Sequence, residues 1–153
     1  MFGLDPGSAM ATAPRMPMRL GFDLVQVSQV AESMERFGAA YETRLFTPLE
    51  LEYAGCGDTE RAERLAARFA AKEAVIKALR LGNEGIGWRE IEVIKLADGD
   101  CEVALHGRAA ELARRMGVER VLLSLSHDGD YAGAFVSVLL AGDEPGTLPA
   151  AAP

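Results

Sequence analysis

From Gly57 to Gly82 the chain contains no internal glycine or proline, and Glu60–Leu81 reads as one long helix around which everything else must pack. At about 100° per residue, Ala67, Ala71, Ala74 and Ala78 share one stripe within about 60°. Side chains that small let another element come close to the helix backbone. Leu65, Phe69 and Ile76 form a bulkier apolar sector on another side. Arg61, Arg64, Arg68 and Lys72 make a basic ridge, and Glu73, Lys77 and Arg80 a further charged cluster.

The segments around this helix predict a mixed chain. Arg19–Val27 fits a first strand. Ser28 is placed as the N-cap of a helix through Phe37. Thr47-Pro48 opens another helix through about Ala54, with Pro48 at its first position and Glu50 where a capping box needs it. Ile91–Leu96 and Cys101–Leu105 flank Ala-Asp-Gly-Asp as a hairpin, and Gly107–Met116 reads as a helix stopped by Gly117. Val121–His127 and Tyr131–Leu140 flank Asp128-Gly129-Asp130 as a second hairpin. The class expected is α+β, with a small, mainly antiparallel sheet and a long central helix.

With 153 residues the chain has room for one domain, expected over residues 19–141, with Ala/Pro/Gly-rich tails at 1–18 and 142–153. A hydrophobic share of 49% supports a real core. The formal net charge of −7 argues against coating nucleic acid, which takes a basic surface. Cys56 and Cys101 are too few for a disulfide framework or a four-thiolate metal site. The first residues lack a continuous apolar stretch, and the run near Ala132–Ala141 is too short for a membrane span. These features predict a soluble, cytoplasmic domain.

Charge is unevenly distributed. Glu60–Arg80 carries more basic than acidic side chains, whereas the rest of the chain is strongly acidic. Glu73 and Lys77, four residues apart, read most simply as a solvated helix pair contributing about 0.2–0.5 kcal/mol. The glycine-rich run Gly82-Asn83-Glu84-Gly85-Ile86-Gly87 directly after the helix gives that pair a second reading. Such a loop lets backbone amides approach phosphates, although its spacing is neither a P-loop nor a dinucleotide fingerprint. Asp23 interrupts an otherwise apolar strand, so it lies either at an exposed edge or beside a cation. His127, ahead of a tight turn, reads first as a surface or capping residue.

Together these segments resemble a known family. Gly21-Phe22-Asp23-Leu24-Val25, Arg44-Leu45-Phe46-Thr47 with Glu50-Leu51, Arg68-Phe69-Ala70-Ala71-Lys72-Glu73-Ala74 with Lys77-Ala78, and Ser124-Leu125-Ser126-His127 look like the holo-acyl-carrier-protein synthases, the small phosphopantetheinyl transferases. The match runs in order from about Leu20 to Val138. The resemblance implies Mg²⁺-dependent transfer of 4′-phosphopantetheine from coenzyme A to a serine of an apo acyl carrier protein, with release of 3′,5′-ADP. It also implies a homotrimer with sites between protomers. By the same resemblance Asp23 and Glu73 hold the metal, Lys77 meets the leaving phosphate, and Glu73 is the candidate base. Arg68 and Lys72 would bind coenzyme A phosphates, Ser126 and His127 would line the nucleotide end, and Asn83 and Gly85 would approach the adenosine 3′-phosphate.

The sequence departs from the family pattern at two places. Gln26 stands where many relatives carry Glu. The segment expected to dock the acidic carrier holds Arg36 and Arg44 against Glu32, Glu35, Glu42, Glu50, Glu52 and Asp58. Like charge weakens such docking, which points to a less acidic carrier or to apolar contacts through Met34 and Phe37. Two other functions compete: a relative that binds coenzyme A or a carrier without turnover, and a Mg²⁺-dependent nucleotide phosphohydrolase.

Overall fold

The computed structural model describes residues 17–142. Five strands and four helices follow in the order β1 (Met18–Gln26), α1 (Val27–Leu45), α2 (Pro48–Ala54), α3 (Asp58–Leu79), β2 (Ile91–Lys95), β3 (Cys101–Leu105), α4 (Gly107–Arg115), β4 (Val118–Asp128) and β5 (Tyr131–Leu140), with a short 3-10 turn, Trp88–Glu90, before β2. The α+β class is as expected. A three-stranded antiparallel sheet, ordered β1-β5-β4, lies across α3, and β2-β3 form a separate hairpin. No helix among the described residues is long and apolar enough to cross a membrane. The expected tails lie almost wholly outside the described residues, although β1 already begins at Met18.

The alanine stripe has the predicted consequence. Ala71 and Ala74 are wholly buried, and β1 presses against the helix backbone beside them. A Cβ on Gly21 would stand 1.9 Å from the Ala74 carbonyl oxygen, so only glycine permits this crossing. Strand alternation then turns Asp23 towards α3 and leaves Leu20, Phe22 and Leu24 outward, each more than half exposed.

The core has two lobes along α3. Ala70, Val75, Leu79, Ile91, Val136 and Val138 fill one, towards the C-terminal end of the helix. Val27, Val30, Phe46, Leu65 and Ala66 fill the other, beneath α1 and α2.

Three local expectations change. The helix expected to end at Phe37 does leave helical geometry at Gly38 (φ 56°, ψ −143°), but a second helical segment follows, so α1 is two helices joined at a kink and runs to Leu45. Ser28 does not cap α1 with its side chain. The Asp130 carboxylate accepts from the Ser28 amide at 2.8 Å and from its hydroxyl at 2.7 Å, so the cap comes from the β4–β5 turn. The long helix starts earlier, at Asp58, and ends where Arg80 adopts a left-handed conformation at φ 57°. The Thr47–Glu50 capping box forms as predicted.

Candidate active site

Asp23, Glu73 and Lys77 come together from β1 and α3. The Lys77 ammonium donates to Asp23 Oδ1 at 2.6 Å and to the Phe22 carbonyl at 3.1 Å. The ion pair of Lys77 is therefore with Asp23 across the Gly21 crossing, and the within-helix pairing with Glu73 does not form. Glu73 is half-buried. Burial raises its carboxyl above the usual range, the Asp23 carboxylate adds to the rise, and Lys77 opposes it. Glu73 also borders a groove of about 290 Å³ whose other walls are Ile76, Leu81, Gly82, Gly85, Ile86 and Trp88. Gly85 thus reaches this site, while Asn83 is exposed beside it.

Lys72 does not join them. Its side chain is fully buried, pairs with Glu50 Oε2 at 2.8 Å, and donates to the Trp88 and Ile91 carbonyls. Glu50 in turn accepts from the amides of Thr47 and Val93. The expected phosphate-binding role is corrected to a structural one, because three partners already satisfy the three donors of the ammonium. Burial pulls its pKa down and Glu50 holds it up.

Two members of the basic ridge serve the fold as well. Arg61 pairs with Glu42 at 2.5 Å and donates to the Gly55 carbonyl. Arg64 donates to the Ala54 carbonyl at 3.2 Å, so both close the C-terminal end of α2. Arg68 differs. The residue is 2% exposed, and its guanidinium lies 4.0 Å from the Tyr53 ring centroid and leaves Nε and Nη2 without a partner among the described residues. Burial depresses its pKa, and Tyr53, Cys101 and Glu50 oppose the fall. Arg68, Ser126 and His127 line one cavity of about 360 Å³ with Tyr53, Arg64 and Lys95. Buried donors without acceptors suit an anion.

Within one chain these are two places. Arg68 and Glu73 are five residues apart on α3, hence about 140° apart around its axis. The arrangement separates Arg68, Ser126 and His127 from Asp23, Glu73 and Lys77.

Gln26, the departure from the family pattern, donates to Asp130 Oδ2 at 2.8 Å. A carboxylate there would face the one that caps α1, so the amide suits this turn. Sequence reasoning missed the roles of Asp130 and Tyr53 and the pairing of Glu50 with Lys72. Only the capping-box spacing hinted at any of them, because their contacts come from elements far away in the chain.

The family model of the 4'-phosphopantetheinyl transferase superfamily matches residues 19–136. The holo-[acyl-carrier-protein] synthase of Gloeobacter violaceus is 45% identical over 121 residues, covering 79% of this chain and 92% of that protein. That of Desulforudis audaxviator is 48% identical over 122 residues, covering 78% and 91%. Among solved structures, the Chronobacterium ammoniagenes ACPS-CoA complex superposes with a TM-score of 0.71 at 37% identity, over 82% of this chain and 98% of that one. The fold is thus that of a phosphopantetheinyl transferase. Within that superfamily the chain belongs to the holo-[acyl-carrier-protein] synthases.

Proposed function

We propose that this protein transfers 4′-phosphopantetheine from coenzyme A to a serine hydroxyl of an apo acyl carrier protein and releases 3′,5′-ADP. The observation that carries this reading is the convergence of Asp23, Glu73 and Lys77, of which Glu73 borders an open groove and has its carboxyl held above its ordinary range. In the reaction the serine oxygen bonds to the phosphorus that bears pantetheine, and the bond from that phosphorus to the ADP oxygen breaks. Glu73 is the candidate to accept the serine proton, its raised pKa suiting a general base. Lys77 is placed to meet the charge that develops on the departing phosphate.

Asp23 and Glu73 fit a resident Mg²⁺. Two carboxylates are close enough to perturb one another, and no group of three or more His, Cys, Asp or Glu side chains gathers among the described residues. Mg²⁺ takes few protein ligands and fills its remaining positions with water and phosphate oxygens. When bound it would supply charge neutralisation at the diphosphate.

Two further features support a homotrimer. The outer face of the β1-β5-β4 sheet exposes Leu20, Phe22, Leu24, Leu122, Tyr131 and Phe135, a patch suited to a second copy of the chain. The separation of the Arg68 cavity from Glu73 is also what a site completed across protomers would need. Sedimentation of Phe22→Glu tests this, with monomer expected and an intact trimer contradicting it. On α1, Phe37 is exposed, with the Arg36 guanidinium 5.1 Å from its ring centroid, in a segment that is acidic overall, which favours a carrier held by apolar contact over one held by opposite charge. A cytoplasmic location goes with a coenzyme A substrate.

Mass spectrometry of an apo carrier incubated with coenzyme A, Mg²⁺ and the protein tests the reaction. A gain of one phosphopantetheine supports transfer. Release of phosphopantetheine to water would instead indicate a phosphohydrolase, and binding without any product a non-catalytic relative.

A further inference from the structure

The groove beside Glu73 has a wall of glycine-rich loop, and free glycines alone would leave that wall loose. Gly82, Gly85 and Ile86 form the wall, and Gly87 ends the loop just before the 3-10 turn. Glu90, the last residue of that turn, reaches back so that Oε1 accepts from the Gly87 amide at 2.8 Å. Its other oxygen, Oε2, accepts from the Ala109 amide in the first turn of α4 at 2.9 Å. His106, the N-cap residue of α4, makes no side-chain capping bond, so Glu90 supplies that cap from outside the helix. A Cβ on Gly107 would come within 3.0 Å of Oε2, and Gly107 holds φ at 50°, so the helix start is shaped around this carboxylate. The turn itself is held separately, by the buried Lys72 ammonium on the carbonyls of Trp88 at its start and Ile91 just after its end.

We propose that Glu90 is a positioning residue for the transfer reaction: its carboxylate fastens the glycine loop to α4 and so sets the wall of the groove that receives coenzyme A. The inference rests on the transferase reading for its substrate, but the fastening itself can be tested without activity. Glu90 touches no reacting group, and its effect passes through the loop backbone.

Loss of the α4 cap must be separated from loss of the loop anchor. In Glu90→Gln the amide presents a donor to one of the two backbone N–H groups, so at least one of the bonds is lost. His106→Ser gives α4 a cap of its own. The comparison is therefore Glu90→Gln/His106→Ser against His106→Ser alone, with the melting temperatures of the two expected to agree. In the double variant, NMR-detected exchange of the amides in residues 82–87 is expected to quicken about tenfold, while Ile91, next to the Lys72 anchor, keeps its protection. The kcat/KM for coenzyme A is expected to fall about tenfold, through KM and with little change in kcat. Loop exchange and kcat/KM equal to those of His106→Ser would overturn the proposal. A wild-type protein without transferase activity would sink the functional reading, and the exchange comparison would then decide on Glu90 alone. Should Glu90→Gln fail to fold even when recapped, Glu90→Asp replaces it, since the shorter carboxylate cannot span both amides; unchanged exchange there overturns the proposal equally.

Discussion

Two carboxylate–lysine pairs lie along α3, and they differ in surroundings more than in chemistry. Lys72 and Glu50 are both fully buried, with every ammonium donor taken. Lys77 and Asp23 pair at a similar distance, yet their side chains are 52% and 17% exposed, and Glu73 stands beside them without an ion-pair partner among the described residues. The buried pair anchors the turn before β2 and ties α2 to the sheet hairpin through the Val93 amide. The open pair leaves charge free to meet a substrate. Neighbouring basic residues of one motif, Lys72 and Lys77, thus divide into a buried, fully partnered residue and an exposed one for which the reactive role is proposed, and burial separates the two.

The largest expected effect of breaking this contrast is on the buried side. Lys72→Ala leaves the Glu50 carboxylate buried without a cation, a loss of about 3–5 kcal/mol. Urea denaturation should show it, whereas a midpoint close to wild type would mean that the pair is not the anchor described. Lys77→Ala comes next, and in the opposite sense. Its exposed pair contributes about 0–1 kcal/mol to stability, so the fold survives, while transfer should slow about 100-fold. Unchanged turnover in a steady-state assay would remove Lys77 from the mechanism.

The smallest effect sharpens the contrast through pH. In divalent-free buffer, burial and Asp23 hold the Glu73 carboxyl above its ordinary value of 4.5, so its ionised form costs the folded state stability at neutral pH. That cost is present above the raised pKa and disappears as pH falls below 4.5, where folded and unfolded chains are both protonated. Glu73→Gln should therefore melt slightly higher than wild type at pH 7, with the gap closing on acidification. A Glu73→Gln protein less stable at neutral pH would contradict the direction of the shift.

Much of the fold was legible because it depends on local pattern. The uninterrupted helix, its alanine stripe, the Thr47–Glu50 box and both hairpins all follow from spacing along the chain. Gly38 was legible as the end of the first helical segment, whereas the second segment, running on to Leu45, was not. Motif resemblance led to Asp23, Glu73 and Lys77, and the structure brings those three together. What stayed hidden was which charges are buried. Helical spacing puts Lys72 on the same ridge as Arg68, but it does not show that Lys72 is the one that forms an ion pair with Glu50. The caps supplied by Asp130 and Glu90 were hidden for the same reason, since each crosses from a distant segment.

The central claim is that the open carboxylate on α3 performs chemistry and does not hold the fold. The most direct measurement is the mass of an apo carrier protein after incubation with coenzyme A, Mg²⁺ and Glu73→Gln, with wild type alongside. The account predicts one phosphopantetheine added by wild type and none by the variant, whose melting temperature stays at or above that of wild type. Transfer at the wild-type rate by a folded Glu73→Gln protein would contradict it.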